Sequence, residues 1–229
     1  MSAALPNLRY ELKFLANGHS LAEALALVRH HPASFREAFP PRTVNNLYLD
    51  SPGLRDYFDH VNGVADRAKS RIRWYGPLTG RVEKPMLERK IKRGAVSGKA
   101  LHALPPLFQN GGGFRHTIGE ALGQDGLAET VRSTLRQLEP SVLNRYRRHY
   151  FESADRRFRL TVDSELQFAS VRGAESGPLR GSASHGSPIL ELKYQPQHAD
   201  RAAAITNALP FRVTRCSKYV LGIETIGAV

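Results

Sequence analysis

The chain has 229 residues, which suits one large domain, and 41% of them are hydrophobic, enough to form a buried core. Lysine and arginine number 33 against 21 acidic residues, and the formal net charge of +12 implies an anionic partner such as phosphate, nucleic acid or a membrane surface. The single cysteine, Cys216, excludes an internal disulfide and a cysteine-rich zinc site. Because the sequence shows neither a membrane-spanning apolar run nor a signal-peptide pattern, we expect a soluble, cytoplasmic protein without a membrane span of its own.

The first half of the chain alternates between strand and helix patterns. Ser20 precedes a stripe of apolar residues at helical spacing and predicts the N-cap of a helix that runs to about Arg29. A second, short helix is predicted over 54–61, and the prolines within 32–41 indicate a loop. Period-two alternation predicts strands at 8–15, 43–50, 65–75 and 82–93, the last two joined as a hairpin.

Patterns in the second half are less regular. Residues 99–104 and 127–138 predict helices, whereas 109–114 and the Gly- and Ser-rich stretch 173–187 predict loops, the second of them mobile. The segment 213–223 fits a strand or a helix. Further strands are predicted at 142–152, 158–168 and 188–194, followed by a helix at 198–209. No repeat and no boundary divides the chain, so we expect a single domain over 1–229.

Charged residues recur at every second position in five of the predicted strands, and residues at that spacing share one face of a strand. For any one strand, the ordinary interpretation is a charged side that faces water. Because the helices between the strands need an apolar sheet face to cover, we expect the charged faces to line the inside of a closed antiparallel barrel. The rows are Arg9, Glu11 and Lys13; Arg67, Lys69, Arg71 and Arg73; Glu88, Lys90 and Lys92; Arg157, Arg159, Thr161, Asp163 and Glu165; and Glu191 and Lys193.

A lumen lined by these cations would repel itself unless a polyanion and water filled it. Arginine offers planar, bidentate donors to phosphate oxygens and lysine offers a compact charge, so the mixture suits a phosphate chain. The few carboxylates in the rows are candidate ligands of a divalent metal, since such metals prefer oxygen and bridge nucleotide phosphates. These are Glu11, Glu88, Asp163 and Glu191, and for the first three an ion pair with a neighbouring cation is an equal alternative.

Eight short motifs follow one another in a fixed order over residues 9 to 222. They are Arg-Tyr-Glu-Leu-Lys-Phe at 9–14, Leu-Tyr-Leu-Asp-Ser at 47–51, Arg-Ile-Arg-Trp-Tyr-Gly at 71–76, Leu-Glu-Arg-Lys at 87–90, Tyr-Arg-Arg at 146–148, Arg-Leu-Thr-Val-Asp at 159–163, Leu-Glu-Leu-Lys at 190–193 and Ser-Lys-Tyr at 217–219. In this order they resemble the catalytic domain of the vacuolar transporter chaperone (VTC) family, the polyphosphate polymerases of the triphosphate tunnel metalloenzyme, or CYTH-like, superfamily.

The resemblance implies an α+β fold with an eight-stranded antiparallel β-barrel, the tunnel, and helices packed outside. It implies an ATP:polyphosphate phosphotransferase that moves the terminal phosphate of ATP onto a growing polyphosphate chain, with Mn²⁺ or Mg²⁺ as cofactor. Glu191 matches the carboxylate that binds manganese in that family. The implied catalytic residues, which also contact phosphate, are Arg71, Arg73, Lys90, Arg148, Arg159 and Lys218. Further phosphate-binding residues are Lys13, Lys99 and Lys193, with Arg147 as the alternative to Arg148 because one sequence does not fix the strand register.

One departure from the wider superfamily concerns the first strand. Relatives that hydrolyse triphosphates usually carry two or more alternating glutamates before the lysine, whereas here Arg9 takes the first of those places and only Glu11 remains. Fewer carboxylates mean fewer metal ligands and a weaker activation of water, which favours transfer to phosphate. The residues present include no counterpart of the phosphate-sensing domain or membrane helices of eukaryotic members, so we expect regulation and any attachment to the inner face of a membrane to come from partner chains.

Two other classes of function remain as alternatives. One is a triphosphatase or nucleotide cyclase on the same fold. The other is a non-catalytic module that binds polyphosphate or nucleic acid through its basic surface. Nucleic acid is disfavoured because the lumen would be too narrow for a duplex and only 8% of residues are aromatic. The expected partners are therefore ATP and inorganic polyphosphate, and the sequence does not indicate an oligomeric state.

Overall fold

The computed structural model describes residues 9–93, 96–109, 114, 116, 118–119, 128–172 and 180–228. The strands are β1 (Tyr10–Leu15), β2 (Arg36–Asp50), β3 (Arg67–Tyr75), β4 (Gly80–Val82), β5 (Met86–Arg93), β6 (Val96–Ala103), β7 (Leu107–Gln109), β8 (Glu139–Glu152), β9 (Phe158–Ser170), β10 (Arg180–His185) and β11 (Ile189–Tyr194). The helices are α1 (Leu21–Arg29), α2 (Arg55–Val61), α3 (Glu129–Arg136), α4 (Ala199–Asn207) and α5 (Lys218–Thr225), with a 3₁₀ turn at Pro196–His198 before α4.

Eight strands pair side by side in the order β1-β11-β9-β8-β2-β3-β5-β6, and β10 pairs with β9 beside this path. The ladders of β1 with β11, of β11 with β9, and of β3 with β2 and β5 are antiparallel. Strands β4 and β7 form a separate two-stranded ladder. The predicted α+β class, with eight strands in one antiparallel sheet and packed helices, is confirmed. The predicted closure of that sheet into a barrel stays a prediction.

The chain divides into two compact units. The first unit contains Met1–Arg42, Tyr146–Leu166 and His185–Ser217. Helices α1 and α4 cover the apolar face of its strands, where Leu160 and Leu190 are fully buried. Helix α1 begins as predicted, because the Ser20 hydroxyl accepts a hydrogen bond from the Glu23 backbone and Glu23 reaches back to the Ser20 backbone, a capping box.

The second unit contains Thr43–Arg145, Gln167–Ser184 and Lys218–Val229. Its apolar core brings α3 against β2, β3 and β5, where Leu49, Ile72 and Leu87 are buried. Helix α5 packs on the other face of β2. Its Tyr219 ring stacks on Tyr48, whose side chain lies on the strand face opposite Leu49. The expectation that residues 1–229 form one domain stays a prediction.

Three local predictions are wrong. Residues 99–104 do not form a helix but belong largely to β6, because a full antiparallel ladder with β5 outweighs local helix propensity. The predicted loop at 32–41 contains the start of β2; its Pro40 and Pro41 precede the ladder with β3, which starts at Val44, so their missing N–H groups interrupt no hydrogen bond there. Within the predicted loop 173–187, residues 180–185 form β10.

Two further local predictions can be compared with the structure only in part. The strand-or-helix ambiguity of 213–223 is resolved in favour of helix α5 from Lys218 onward, while Val213 forms an isolated bridge to Phe14. Residues 110–113 of the predicted loop at 109–114 lie outside the described residues. Glu165 has a φ of +54°, the left-handed region.

Candidate phosphate-binding site

Four charged side chains meet on one strand face of the second unit. The cations Arg71 and Arg73 come from β3, Lys99 from β6, and all three surround Glu88 of β5. Arg71 donates to Glu88 Oε2 through Nε at 2.8 Å. The other oxygen, Oε1, lies 3.0 Å from Lys99 Nζ and 3.6 Å from Arg73 Nη1. We call this group of four the Glu88 cluster, and it carries two positive charges in excess.

Electrostatics in the Glu88 cluster favour the ionised state of the acid. Burial alone would raise the pKa of Glu88, but the charges of Arg71, Arg73 and Lys99 outweigh burial and lower it to about 2. Burial lowers the pKa of Lys99 from its ordinary value, although Glu88 opposes the shift. At neutral pH the carboxylate is therefore charged, and an incoming phosphate would compete with it for the same guanidinium groups.

Residues that the sequence reasoning missed support the two arginines. Arg73 Nε donates to Asn46 Oδ1 at 2.9 Å, and Asn46 Nδ2 donates to Asn144 Oδ1 at 3.2 Å; both asparagines are fully buried. Arg71 Nη1 donates to the hydroxyl of Tyr48 at 3.4 Å. The signal for Asn46 and Tyr48 was present, since they alternate with Leu47 and Leu49 in the Leu-Tyr-Leu-Asp-Ser region. These contacts fix both guanidinium groups in place before any ligand arrives.

The first unit holds a second charged group, on the strand face of β1 and β11 opposite Leu190. Lys13 lies directly across from Glu191 in the antiparallel ladder, and Glu11 lies across from Lys193. Lys13 Nζ is 3.0 Å from Glu11 Oε1 and donates to the Cys216 carbonyl at 3.0 Å. Lys193 forms an ion pair with Glu191 and lies 4.0 Å from Glu11. We call Glu11, Lys13, Glu191 and Lys193 the Glu191 cluster.

The Glu191 cluster keeps its central lysine charged. Burial alone would lower the pKa of Lys13, but Glu191 and Glu11 outweigh burial and raise the pKa above its ordinary value. Thr161 of β9 lies directly across from Glu191, and its buried hydroxyl oxygen has no hydrogen-bond partner among the described residues. The cluster therefore offers two carboxylates, two ammonium groups and an adjoining hydroxyl to a ligand.

Arg148 and Asp163 form a buried pair in the first unit, and the charge of Glu191 also acts on Arg148. Arg148 Nε and Nη2 donate to the two carboxylate oxygens of Asp163 at 2.6 and 2.7 Å. Asp163 is 0% exposed, and it raises the pKa of the Arg148 guanidinium although burial opposes the shift. Arg147, the alternative candidate, is exposed. The sequence did not decide between Arg147 and Arg148. In the structure it is Arg148 that contacts Asp163, a member of the predicted charged row of β9.

The remaining three candidates lie on three different elements, β5, β9 and α5. Lys90 is exposed and lies across from Lys99 in the ladder of β5 with β6. Arg159 has a largely exposed side chain that lies 3.4 Å from Glu152, while its register position is opposite Lys193. Lys218 is buried at the first residue of α5. Ion pairing, the alternative kept for Glu11, Glu88 and Asp163, is what the structure shows for all three side chains.

The carboxylates of these groups differ in how well they suit a divalent metal. In the described part of the chain, no group of three or more His, Cys, Asp or Glu side chains could hold a metal ion. Glu11 and Glu191 offer carboxylate oxygens on neighbouring strands, which fits a nucleotide-bound Mg²⁺ or Mn²⁺ that takes one or two carboxylates and completes its shell with phosphate and water. Asp163 and Glu88 fit less well, because a cation lies within 3.0 Å of each of their carboxylate oxygens, whereas Lys193 is 4.0 Å from Oε2 of Glu11.

The family model of the VTC domain matches residues 8–226, nearly the whole chain. The chain belongs to the VTC domain family. Among curated proteins none matches it. Solved structures share the fold of this VTC domain at 13% sequence identity. One is an adenylate cyclase candidate from Vibrio parahaemolyticus, with a TM-score of 0.52 over 94% of this chain and 98% of the other.

Two further structures resemble the VTC domain to the same degree. A protein from Pyrococcus horikoshii OT3 has a TM-score of 0.53 over 95% of this chain and 99% of its own. An adenylyl cyclase candidate from Hippeastrum, described with a dominant triphosphatase activity, has a TM-score of 0.53 over 95% and 96%. At this identity the likeness establishes the fold and not the reaction. No described helix of the VTC domain is long and apolar enough to cross a membrane.

Proposed function

We propose that this VTC domain is a polyphosphate polymerase that transfers the terminal phosphate of ATP onto a growing polyphosphate chain. Family membership supports a phosphate substrate. The observation that carries the proposal is the Glu88 cluster, in which three cations converge on one carboxylate and buried asparagines hold Arg73 in position. Phosphoryl transfer asks a protein mainly for positioning and for stabilisation of charge on the transferred group, and such a cluster supplies both.

The proposal assigns phosphate binding to the cations of both clusters. Arg71 and Arg73 would bind phosphate oxygens with their planar donor groups, exchanging contacts with Glu88 for contacts with the ligand. Lys13 and Lys193 would act as compact charges in the Glu191 cluster. Lys99 would add a compact charge in the Glu88 cluster. The remaining candidates for phosphate contact are Lys90, Arg148, Arg159 and Lys218.

A divalent cation belongs to the proposal as cofactor. Glu191 would hold Mn²⁺ or Mg²⁺, with Glu11 as a second carboxylate, and when bound the ion neutralises charge on the nucleotide phosphates. The protein's own part is to hold Glu191 beside Lys13 and Lys193 and to orient the phosphates. The acceptor is a terminal phosphate that is already ionised at neutral pH, so the reaction needs no general base. The single carboxylate of the first strand, Glu11, supports transfer over hydrolysis.

The experiment that tests the proposal is incubation of the purified protein with ATP and Mn²⁺, followed by gel analysis for polyphosphate. We expect products that lengthen with time and that disappear in Glu191→Ala and in Arg73→Ala. Arg81→Ala is the matched control, because Arg81 belongs to the same unit as Arg73 but pairs with Glu83 at the surface. Binding of tripolyphosphate without metal is measured in parallel; it is expected to weaken in Arg73→Ala and to persist in Glu191→Ala.

The possible products separate the proposal from its alternatives. Orthophosphate alone would make the protein a triphosphatase, the activity described for the Hippeastrum protein. Cyclic nucleotide would make it a cyclase. Tight tripolyphosphate binding without any conversion of ATP would make it a binding module. Polyphosphate formation that survives both Glu191→Ala and Arg73→Ala would contradict the assigned site.

A further inference from the structure

A pocket lies in the second unit, and the residues of the Glu88 cluster are not part of its lining. It has a volume of about 270 Å³, and its lining includes Leu143 and Arg145 of β8 and Gln167 of β9. Leu143 and Arg145 alternate along β8 with Asn144, the residue that supports Arg73 through Asn46, so the pocket opens on the opposite strand face. The pocket is therefore distinct from the proposed phosphate-binding cluster of this unit.

The chemistry of the lining is divided. Leu78, Leu143 and Ala169 present apolar surface, while Ser182, Ser184 and Gln167 contribute polar groups. Arg145 is the charged residue of the lining, and its side chain is half-buried. Within the described ranges, Arg145 makes no hydrogen bond and no ion pair, unlike Arg71, Arg73 and Arg148. Its nitrogen atoms are not among the buried polar atoms that lack a partner, so they are open to solvent and to an oxyanion that binds in a bidentate way.

We propose that this pocket binds a small organic anion, a compound with one phosphate or carboxylate group on an uncharged body. The anionic group would lie on Arg145, assisted by the hydroxyl groups of Ser182 and Ser184. The uncharged body would pack against Leu78 and Leu143. The volume lies just below the range of about 300–1,000 Å³ that is usual for pockets of drug-sized ligands, so the occupant is a compact molecule and not a polyphosphate chain.

The test uses the full chain and three probes that share one ring: phenyl phosphate, benzoate and phenol. Binding is followed by NMR of the ¹⁵N-labelled protein through the side-chain Nε–H signals of its arginines. We expect phenyl phosphate or benzoate to shift the Arg145 signal in a saturable way and phenol to leave it unchanged. The stronger of the two anions identifies whether phosphate or carboxylate is preferred.

Two variants and a control locate the binding. Arg145→Gln is expected to weaken the better anion by about tenfold or more, because a charge-assisted hydrogen bond is lost. Ala183→Trp fills the pocket without removing the charge and is expected to have a similar effect. Arg172→Gln is the control, since Arg172 belongs to the same unit but donates to the Pro52 carbonyl at the surface. Conversion of ATP is expected to be unchanged in Arg145→Gln, so the two proposals fail independently.

Three results would overturn the inference. The first is the absence of a saturable shift of the Arg145 signal at probe concentrations of about 1–10 mM. The second is an affinity that neither Arg145→Gln nor Ala183→Trp changes. The third is a shift confined to Arg71 and Arg73, which would mean that the probe binds in the Glu88 cluster.

Discussion

Arg71 and Glu88 lie directly opposite each other on β3 and β5, and Arg71 donates through both Nε and Nη2 to the same carboxylate oxygen, at 2.8 and 2.5 Å. The second oxygen is thereby left to Lys99 and Arg73. One carboxylate thus holds three cations together. Glu88 acts as an internal substitute for the anion that these cations are proposed to bind, and its removal should reveal how strongly they repel one another.

Glu88→Gln should therefore destabilise the protein in the absence of ligand. We expect a loss of about 1–3 kcal/mol in the free energy of unfolding, less than the roughly 3–5 kcal/mol of a fully buried broken pair because the Lys99 side chain is 44% exposed. Tripolyphosphate should raise the melting temperature of the variant more than that of the unaltered protein. Thermal unfolding with and without tripolyphosphate measures both effects. Glu83→Gln is the control, and equal stabilisation of all three proteins would contradict the role given to Glu88.

Acid should remove the stabilisation that the ionised Glu88 carboxylate provides. The pKa of Glu88 is about 2 in the folded protein against an ordinary value of 4.5, so its contribution is present above pH 4.5 and is lost as the pH falls toward 2. The contribution is at most about 3–4 kcal/mol, because the two pKa values differ by about 2.5 and one pKa unit corresponds to about 1.4 kcal/mol. Urea unfolding of the protein and of Glu88→Gln between pH 7 and 2.5 should show a stability difference that shrinks below about pH 4.5. A difference that does not depend on pH would refute this.

The pair of Arg148 and Asp163 predicts a larger effect. Arg148→Ala leaves a carboxylate that is 0% exposed without its bidentate partner, so we expect a loss of about 3–5 kcal/mol in urea unfolding. Arg159→Ala should change stability by less than about 1 kcal/mol, because Arg159 pairs with Glu152 at the surface. Replacing both partners, Arg148→Met with Asp163→Leu, should restore part of the loss. If the double variant were less stable than Arg148→Ala, the penalty would not come from an unpaired buried charge.

Replacing Gly222 of α5 by alanine should lower the stability of the protein, although alanine has the higher helix propensity. A Cβ atom at this position would lie 2.7 Å from Phe168 Cδ1 and 3.0 Å from Val142 Cγ1. We expect Gly222→Ala to destabilise the protein by about 1–3 kcal/mol through overpacking, despite a gain of about 0.5–1 kcal/mol from the better helix former. Phe168→Leu should make room, so that the double variant loses less than the two single losses together in thermal unfolding. Simple additivity would show that the contact with Phe168 is not the cause.

Local patterns predicted the charged rows because a strand repeats its faces every two residues. In β3 this holds along the strand: Ser70, Ile72 and Trp74 are buried, while Arg71 and Arg73 keep partial exposure on the other face. The helix α1 was equally accessible, since a capping box and an apolar stripe are both local signals. The motif order added the family, which the family model confirms.

Pairings between distant strands were not accessible to the same reasoning. Asn46 and Asn144 are 98 residues apart, and nothing near either residue indicates the hydrogen bond between them. The choice between Arg147 and Arg148 likewise depended on which strand face meets Asp163. Lys99 lies in a segment whose composition allows a helix, and only its ladder with β5 makes it a strand. The roles given to the site residues stay predictions until the variants are measured.

The first strand has a consequence for biosynthesis. Among the described residues, β1 pairs with β11 and its Phe14 bridges to Val213, while the Lys13 ammonium is held by the Cys216 carbonyl, 203 residues further along the chain. At translation rates of about 5–20 residues per second, the partners of β1 leave the ribosome roughly 10–40 s after β1 itself. The nascent chain must therefore carry an unpaired strand, with Phe14 accessible to chaperones, until synthesis is almost finished.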